Sequence, residues 1–124
     1  MRILLAEDDE LLGSGIRAGL AQHGFQVDWV RDGVAAEREL ATGAYQAAVL
    51  DLGLPRQDGM EVLRTLRATP RTKELPVIIV TAKDTDRAVL EGFQSGANYY
   101  ITKPFEPREL VDSVELIMGF KLEA

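Results

Sequence analysis

The chain has 124 residues, of which 46% are hydrophobic and 27% charged, enough for one core and too few for two, so residues 1–124 are expected to form a single domain. A formal charge of −6 argues against direct nucleic acid binding, which needs a basic patch for the phosphates, and suits a cation or a basic partner instead. With no cysteine there is no disulfide, thiolate nucleophile or thiolate zinc site, and no apolar run suits a signal peptide or a membrane span, so a cytoplasmic protein without membrane contact is expected.

Short apolar runs alternate with helical patterns. The first predicted strand, Arg2–Ala6, runs out into Glu7, Asp8 and Asp9. From Glu10 to His23, Leu12, Ile16 and Leu20 share one helical face, with Gly24 as the C-terminal cap. Gly13, Gly15 and Gly19 each weaken that helix by about 1 kcal/mol relative to Ala, so it needs tertiary packing. His23, the sole histidine, falls at the helix end, where a cation complements the dipole. Gln26–Val30 is the second strand, with Trp29 packed in or near the core, and Gly33–Thr42 the next helix. Ala47–Asp51 reads as a buried strand that ends on a carboxylate, and Gly59–Ala68 follows with Met60, Leu63 and Leu66 facing inward. Val77–Thr81 is the fourth strand and Asp84–Ser95 the fourth helix. Ala97–Ile101 and the helix Glu106–Met118 complete the pattern.

This order of elements predicts an α/β domain with one doubly wound, five-stranded parallel sheet and five helices. Such sheets bind ligands beyond the carboxyl ends of their strands, where strand order reverses. The residues at those ends are Glu7, Asp8 and Asp9, then Asp51, Thr81, and Lys103 before Pro104. Converging carboxylates repel and resist joint ionisation, so a cation belongs among them. With few carboxylates and oxygen donors only, Mg²⁺ fits better than a caged Ca²⁺. A carboxylate nucleophile, a metal, a lysine and a hydroxyl are together the parts needed to form an aspartyl phosphate and steady its oxygens. Asp9 or Thr81 taken alone would be an ordinary helix cap, and placement at four strand ends is what that plainer reading leaves unexplained.

The sequence E-D-D after I-L-L-A, then D-L-G-L-P-R-Q-D-G, I-I-V-T-A and Y-I-T-K-P-F, resembles the receiver domain of two-component response regulators over essentially the whole chain. The resemblance implies a flavodoxin-like receiver fold and a phosphoprotein, cytoplasmic and active in signal transduction. Asp51 would accept a phosphoryl group from a histidine kinase, a phosphotransfer protein or a small phosphodonor. It implies that Glu7, Asp8, Asp51 and the backbone carbonyl of Gly53 hold Mg²⁺, Asp8 directly and Glu7 through water. Thr81 and Lys103 would hold the phosphoryl oxygens, Ala82 would leave them accessible, and the Lys103–Pro104 bond would be cis. Tyr100 matches the aromatic switch position, and an output partner would bind the face of the fourth helix, fifth strand and last helix. Such a chain is no enzyme beyond catalysing its own phosphorylation and dephosphorylation.

The second half departs from receivers that precede winged-helix DNA-binding domains. Asn98 and Tyr99 replace acidic residues, and Ser113 and Glu115 stand where arginine is usual, so the usual salt-bridged dimer face is not expected. Whether the chain stands alone, is cut from a DNA-binding regulator or is recombined stays open. A dehalogenase-type phosphohydrolase would need an aspartate at position 53, which is Gly, and a cap domain. An FMN carrier would not place acidic residues after its first strand, and a module that had abandoned the chemistry would have lost Asp51 or Lys103.

Overall fold

The alternating pattern resolves into β1 (Arg2–Ala6), α1 (Glu10–Gln22), β2 (Gln26–Val30), α2 (Gly33–Leu40), β3 (Ala47–Asp51), α3 (Gly59–Ala68), β4 (Val77–Thr81), α4 (Asp86–Gln94), β5 (Tyr99–Thr102) and α5 (Pro107–Glu123). The structure, a computed structural model, describes residues 1–123, with 119–123 described by their helical backbone alone.

The five strands pair in parallel in the order β2-β1-β3-β4-β5. Successive side chains on a strand face opposite ways, which splits the core into two layers. Leu4, Ala6, Ala48, Leu50 and Ile79 pack with α2 and α3 residues such as Leu40, Val62, Leu63 and Leu66. Ile3, Leu5, Val49, Ile78 and Val80 pack with Ile16 and Leu20 of α1 and Leu110, Val111 and Val114 of α5. The chain crosses from the β2 side of β1 to its β3 side, so the strand order reverses between β1 and β3. Their carboxyl ends carry Glu7 and Asp51.

Four helices start by the same device. Asp9, Asp32, Asp58 and Thr85 each accept a hydrogen bond from the amide three residues on, which caps the helix. Asp9 is therefore occupied as a cap and stands apart from the Glu7 and Asp8 pair. Gly24 adopts φ +87° after α1, with His23 as the C-cap.

The sequence boundaries need correction chiefly in the second half. The fourth helix begins at Asp86 rather than Asp84, because Thr85 takes the cap. The fifth strand begins at Tyr99 rather than Ala97, because the preceding residues close α4: Gly96 sits at φ +107° and the Ala97 amide donates to the Gly92 carbonyl. α1 stops one residue short of His23 and α2 at Leu40 rather than Thr42, while the last helix starts at Pro107 and continues past Met118 to Glu123. Gly92 is the only buried residue of α4, whose Leu90 and Phe93 face outward.

Candidate functional site

β1 delivers Glu7 to the sheet edge, and the Glu7 amide donates to the Val30 carbonyl, extending the ladder one residue beyond the strand. The Glu7 side chain is fully buried, whereas Asp8 is exposed. β3 ends on Asp51, 4% exposed, and the carboxylates of Glu7, Asp8 and Asp51 offer oxygens that lie within 4.8 Å of one another. Gly59 closes the far side of the Asp51 backbone: a Cβ there would lie 2.3 Å from the Asp51 carbonyl oxygen, so only glycine fits without a shift.

Each Asp51 oxygen has one partner. Oδ1 accepts from the Gly53 amide at 2.9 Å, and Oδ2 accepts from Lys103 Nζ at 3.0 Å. The same ammonium stands 3.0 Å from Oε1 and 3.2 Å from Oε2 of Glu7, donating to Oε2, which also accepts from the Asp9 amide. Oε1 is buried with that ammonium as its ion-pair neighbour but with no well-aligned hydrogen bond. A buried carboxylate that shares its one cation with a second carboxylate is incompletely compensated. Glu7, Asp8 and Asp51 together form a cluster of oxygen donors of the kind that holds a hard divalent cation.

The charges bear out this tension. Burial pushes the Glu7 carboxyl up to about 7, although the Asp9 amide and Lys103 pull it down. For Lys103 burial pulls the other way, but its bonds to Asp51 and Glu7 win and raise its pKa. Lys103 is thus held as a cation between two carboxylates.

Thr81 ends β4 one residue beyond the Val80 that pairs with Asp51, and it is buried. Its Oγ1 accepts from the Lys83 amide at 3.2 Å, and the Lys83 carbonyl accepts from the Tyr100 hydroxyl at 2.9 Å. One peptide segment therefore ties Thr81 to Tyr100. The Tyr100 ring fills the notch at Gly92, where a Cβ would come within 2.8 Å of it. Ala82 and Pro104 are exposed, and the Lys103–Pro104 peptide is cis. Both residues line an open cavity of about 540 Å³ with Leu11, Leu12, Phe105 and Pro107, immediately beside Lys103.

The structure thus brings Glu7, Asp8, Asp51 and Lys103 into one cluster, sets Thr81 on the neighbouring strand end, and places Tyr100 beyond the Lys83 backbone. Two participants escaped the sequence. The Lys83 backbone link depends on the local turn after β4. The Trp29 indole N–H donates to the Glu7 carbonyl at 2.8 Å, an approach across two paired strands that alternation along β2 does not reveal.

Three of the four residues that depart from the DNA-binding pattern are engaged within the chain. Asn98 Oδ1 accepts from the Val77 amide and from Arg67, Ser113 donates to the Glu109 carbonyl, and Glu115 lies 3.8 Å from His23. Tyr99 and Leu116 remain exposed, as do Leu90 and Phe93.

Among proteins of known kind, the chain is 53% identical over 110 residues to the response regulator protein PmrA of Pseudomonas aeruginosa, covering 89% of this chain and 49% of that protein. It is 44% identical over 118 residues to the transcriptional regulatory protein QseB of Haemophilus influenzae, covering 95% of this chain and 52% of that one. The chain therefore spans about half the length of the curated relatives it matches. In three dimensions it superposes on the receiver domain of a Francisella response regulator with TM-score 0.90 and 31% identity, covering 97% and 98% of the two chains. It also matches the receiver domain of a sensor histidine kinase from Pseudomonas aeruginosa, solved with a magnesium ion in its active site cleft, with TM-score 0.85, 33% identity and coverage of 95% and 97%. The family model of the response regulator receiver domain matches residues 3–115, and the chain belongs to that family of two-component signal-transduction domains.

Proposed function

We propose that the chain is a phosphoacceptor switch in which Asp51 takes a phosphoryl group from a histidine kinase, a phosphotransfer protein or a small phosphodonor. The observation that carries this is a buried Asp51, held by Gly53 and Lys103, in one cluster with the carboxylates of Glu7 and Asp8. Glu7, Asp8, Asp51 and the Gly53 carbonyl would hold Mg²⁺. When bound, that ion supplies charge neutralisation for the phosphoryl oxygens. An Asp51 carboxylate oxygen forms the new P–O bond as the donor's bond to phosphorus breaks and the leaving group departs with the electron pair. Lys103, now shared by two carboxylates, gives part of its hydrogen bonding to the transferred group. Thr81 offers its hydroxyl from the adjacent strand, and the short side chain of Ala82 keeps the approach open. The same site then catalyses loss of the group to water, so the chemistry is confined to the protein itself.

The apolar cavity at Leu11, Leu12, Phe105 and Pro107 borders Lys103 and suits the phosphodonor protein, because a partner seated there lies against the site. The exposed Leu90, Phe93, Tyr99 and Leu116 mark the output face on α4, β5 and α5. The acidic chain is not proposed to touch DNA. Transcriptional control of the kind the relatives are named for would pass through that face.

Intact-mass measurement after incubation with acetyl phosphate and Mg²⁺ tests the reading. The wild type should gain the mass of a single phosphoryl group, and Asp51→Asn or an excess of chelator should abolish the gain. Equal modification of Asp51→Asn would overturn it.

A further inference from the structure

Trp29 is the only tryptophan, and its surroundings are more specific than packing requires. Its indole Nε1 donates to the backbone carbonyl of Glu7 at 2.8 Å, at the point where β1 gives way to the acidic turn. The Glu7 amide is already bonded to Val30, so strand β2 grips both polar backbone groups of Glu7, one by main chain and one by side chain. α1 makes room for this. A Cβ on Gly13 would lie 2.2 Å from Trp29 Cζ2 and 2.5 Å from Cε2, the carbon bonded to the donating nitrogen. The glycine that weakens the helix is thus what lets the indole reach its acceptor. The guanidinium of Arg31 lies 4.1 Å from the ring centroid and also pairs with Glu10, which further fixes the ring.

We propose that Trp29 is a positioning residue of the acidic site: its bond to the Glu7 carbonyl fixes the turn from which Glu7 and Asp8 present their carboxylates to a divalent cation. The inference rests on the Mg²⁺ site described above. A ligand turn fixed in advance loses less freedom on binding, so releasing it costs affinity. Loss of a single hydrogen bond of ordinary strength corresponds to about a three- to tenfold weaker Mg²⁺ affinity.

The test is an NMR titration of the full chain with Mg²⁺. In the wild type the Trp29 Nε1–H resonance should shift in step with the Gly53 and Asp8 amides, and Asp8→Asn should remove all three responses. Trp29→Phe keeps an aromatic ring and deletes the N–H, and its affinity, read from Gly53, should fall by that factor. Gly13→Ala retains the indole but displaces it. The displaced ring loses its bond to Glu7, so the proposal requires the same weakening, while amides remote from the site report that the fold is kept. Shifts at Gly53 and Asp8 with an unmoved indole, and unchanged affinity in both variants, would overturn the role of Trp29 while leaving the metal site standing. No Mg²⁺ response anywhere in the wild type would overturn the site and this inference with it.

Discussion

Glu7 is a fully buried acid whose ionised form the fold disfavours. Its carboxyl rises from an ordinary value of 4.5 to about 7, first because burial penalises the ion and then because Asp51 stands beside it. Between those values the folded, metal-free protein keeps a proton that the unfolded chain has lost. The stabilisation from this proton is full below the unfolded value and disappears as pH rises through about 7. The urea midpoint of metal-free protein should therefore fall between about pH 5 and pH 7.5, and Glu7→Gln, which cannot ionise, should flatten that decline. An equally steep decline in Glu7→Gln would show that another group is responsible. The identities at the site were legible residue by residue, because Glu7, Asp8, Asp51, Thr81 and Lys103 each interrupt or follow an apolar run. What no run discloses is their mutual bonding. That Lys103 serves Glu7 as well as Asp51, and that Trp29 holds the Glu7 carbonyl, depends on which strands become neighbours.

Among the elements, the strands β1 to β4 coincide with the apolar runs Arg2–Ala6, Gln26–Val30, Ala47–Asp51 and Val77–Thr81. Burial on both faces of a parallel sheet makes the runs of β1, β3 and β4 nearly continuous and so easy to delimit, whereas the edge strand β2 is only partly buried and mixes polar with apolar residues. β5 was harder to place because Ala97 and Asn98 are apolar or neutral yet belong to the closure of α4, where Asn98 bonds to both polar backbone groups of Val77. At the start of α3, two effects of opposite sign meet at Gly59. Alanine is the better helix former by about 1 kcal/mol, but its Cβ would meet the Asp51 carbonyl oxygen at 2.3 Å, and a backbone atom cannot swing aside as a flexible side chain can. Overpacking of this kind typically costs about 1–3 kcal/mol, so Gly59→Ala should be destabilised on balance by up to about 2 kcal/mol in chemical denaturation. A stabilised variant would mean that the β3–α3 loop yields more readily than its backbone contacts suggest.

For the molecule as a whole, the two core layers are unequally secured. α4 buries only Gly92 and offers little apolar surface to the sheet, and its attachment includes the Tyr100 ring at that notch. On the proposed phosphoacceptor reading, an element held so lightly is the one expected to move if Thr81 turns toward a new group, since the Lys83 segment connects Thr81 to Tyr100. Beryllofluoride, an acyl-phosphate mimic, should shift amides of α4, β5 and α5 as well as those of the acidic loops, and Thr81→Ala should retain the loop shifts while reducing the distant ones. Perturbation confined to the loops after β1 and β3 would leave Asp51 a phosphorylation site but remove the switch. The Lys103 ammonium has a further consequence, because it reaches back 96 residues to Glu7 and 52 to Asp51. Its three members are drawn from the start, the middle and nearly the end of the sequence, and they meet only when the last strand has docked. Any copy in which β5 is undocked lacks the assembled cluster, and any chemistry that needs all three side chains is silent in it. The cluster is thereby a report on closure of the sheet, with no separate inspection step.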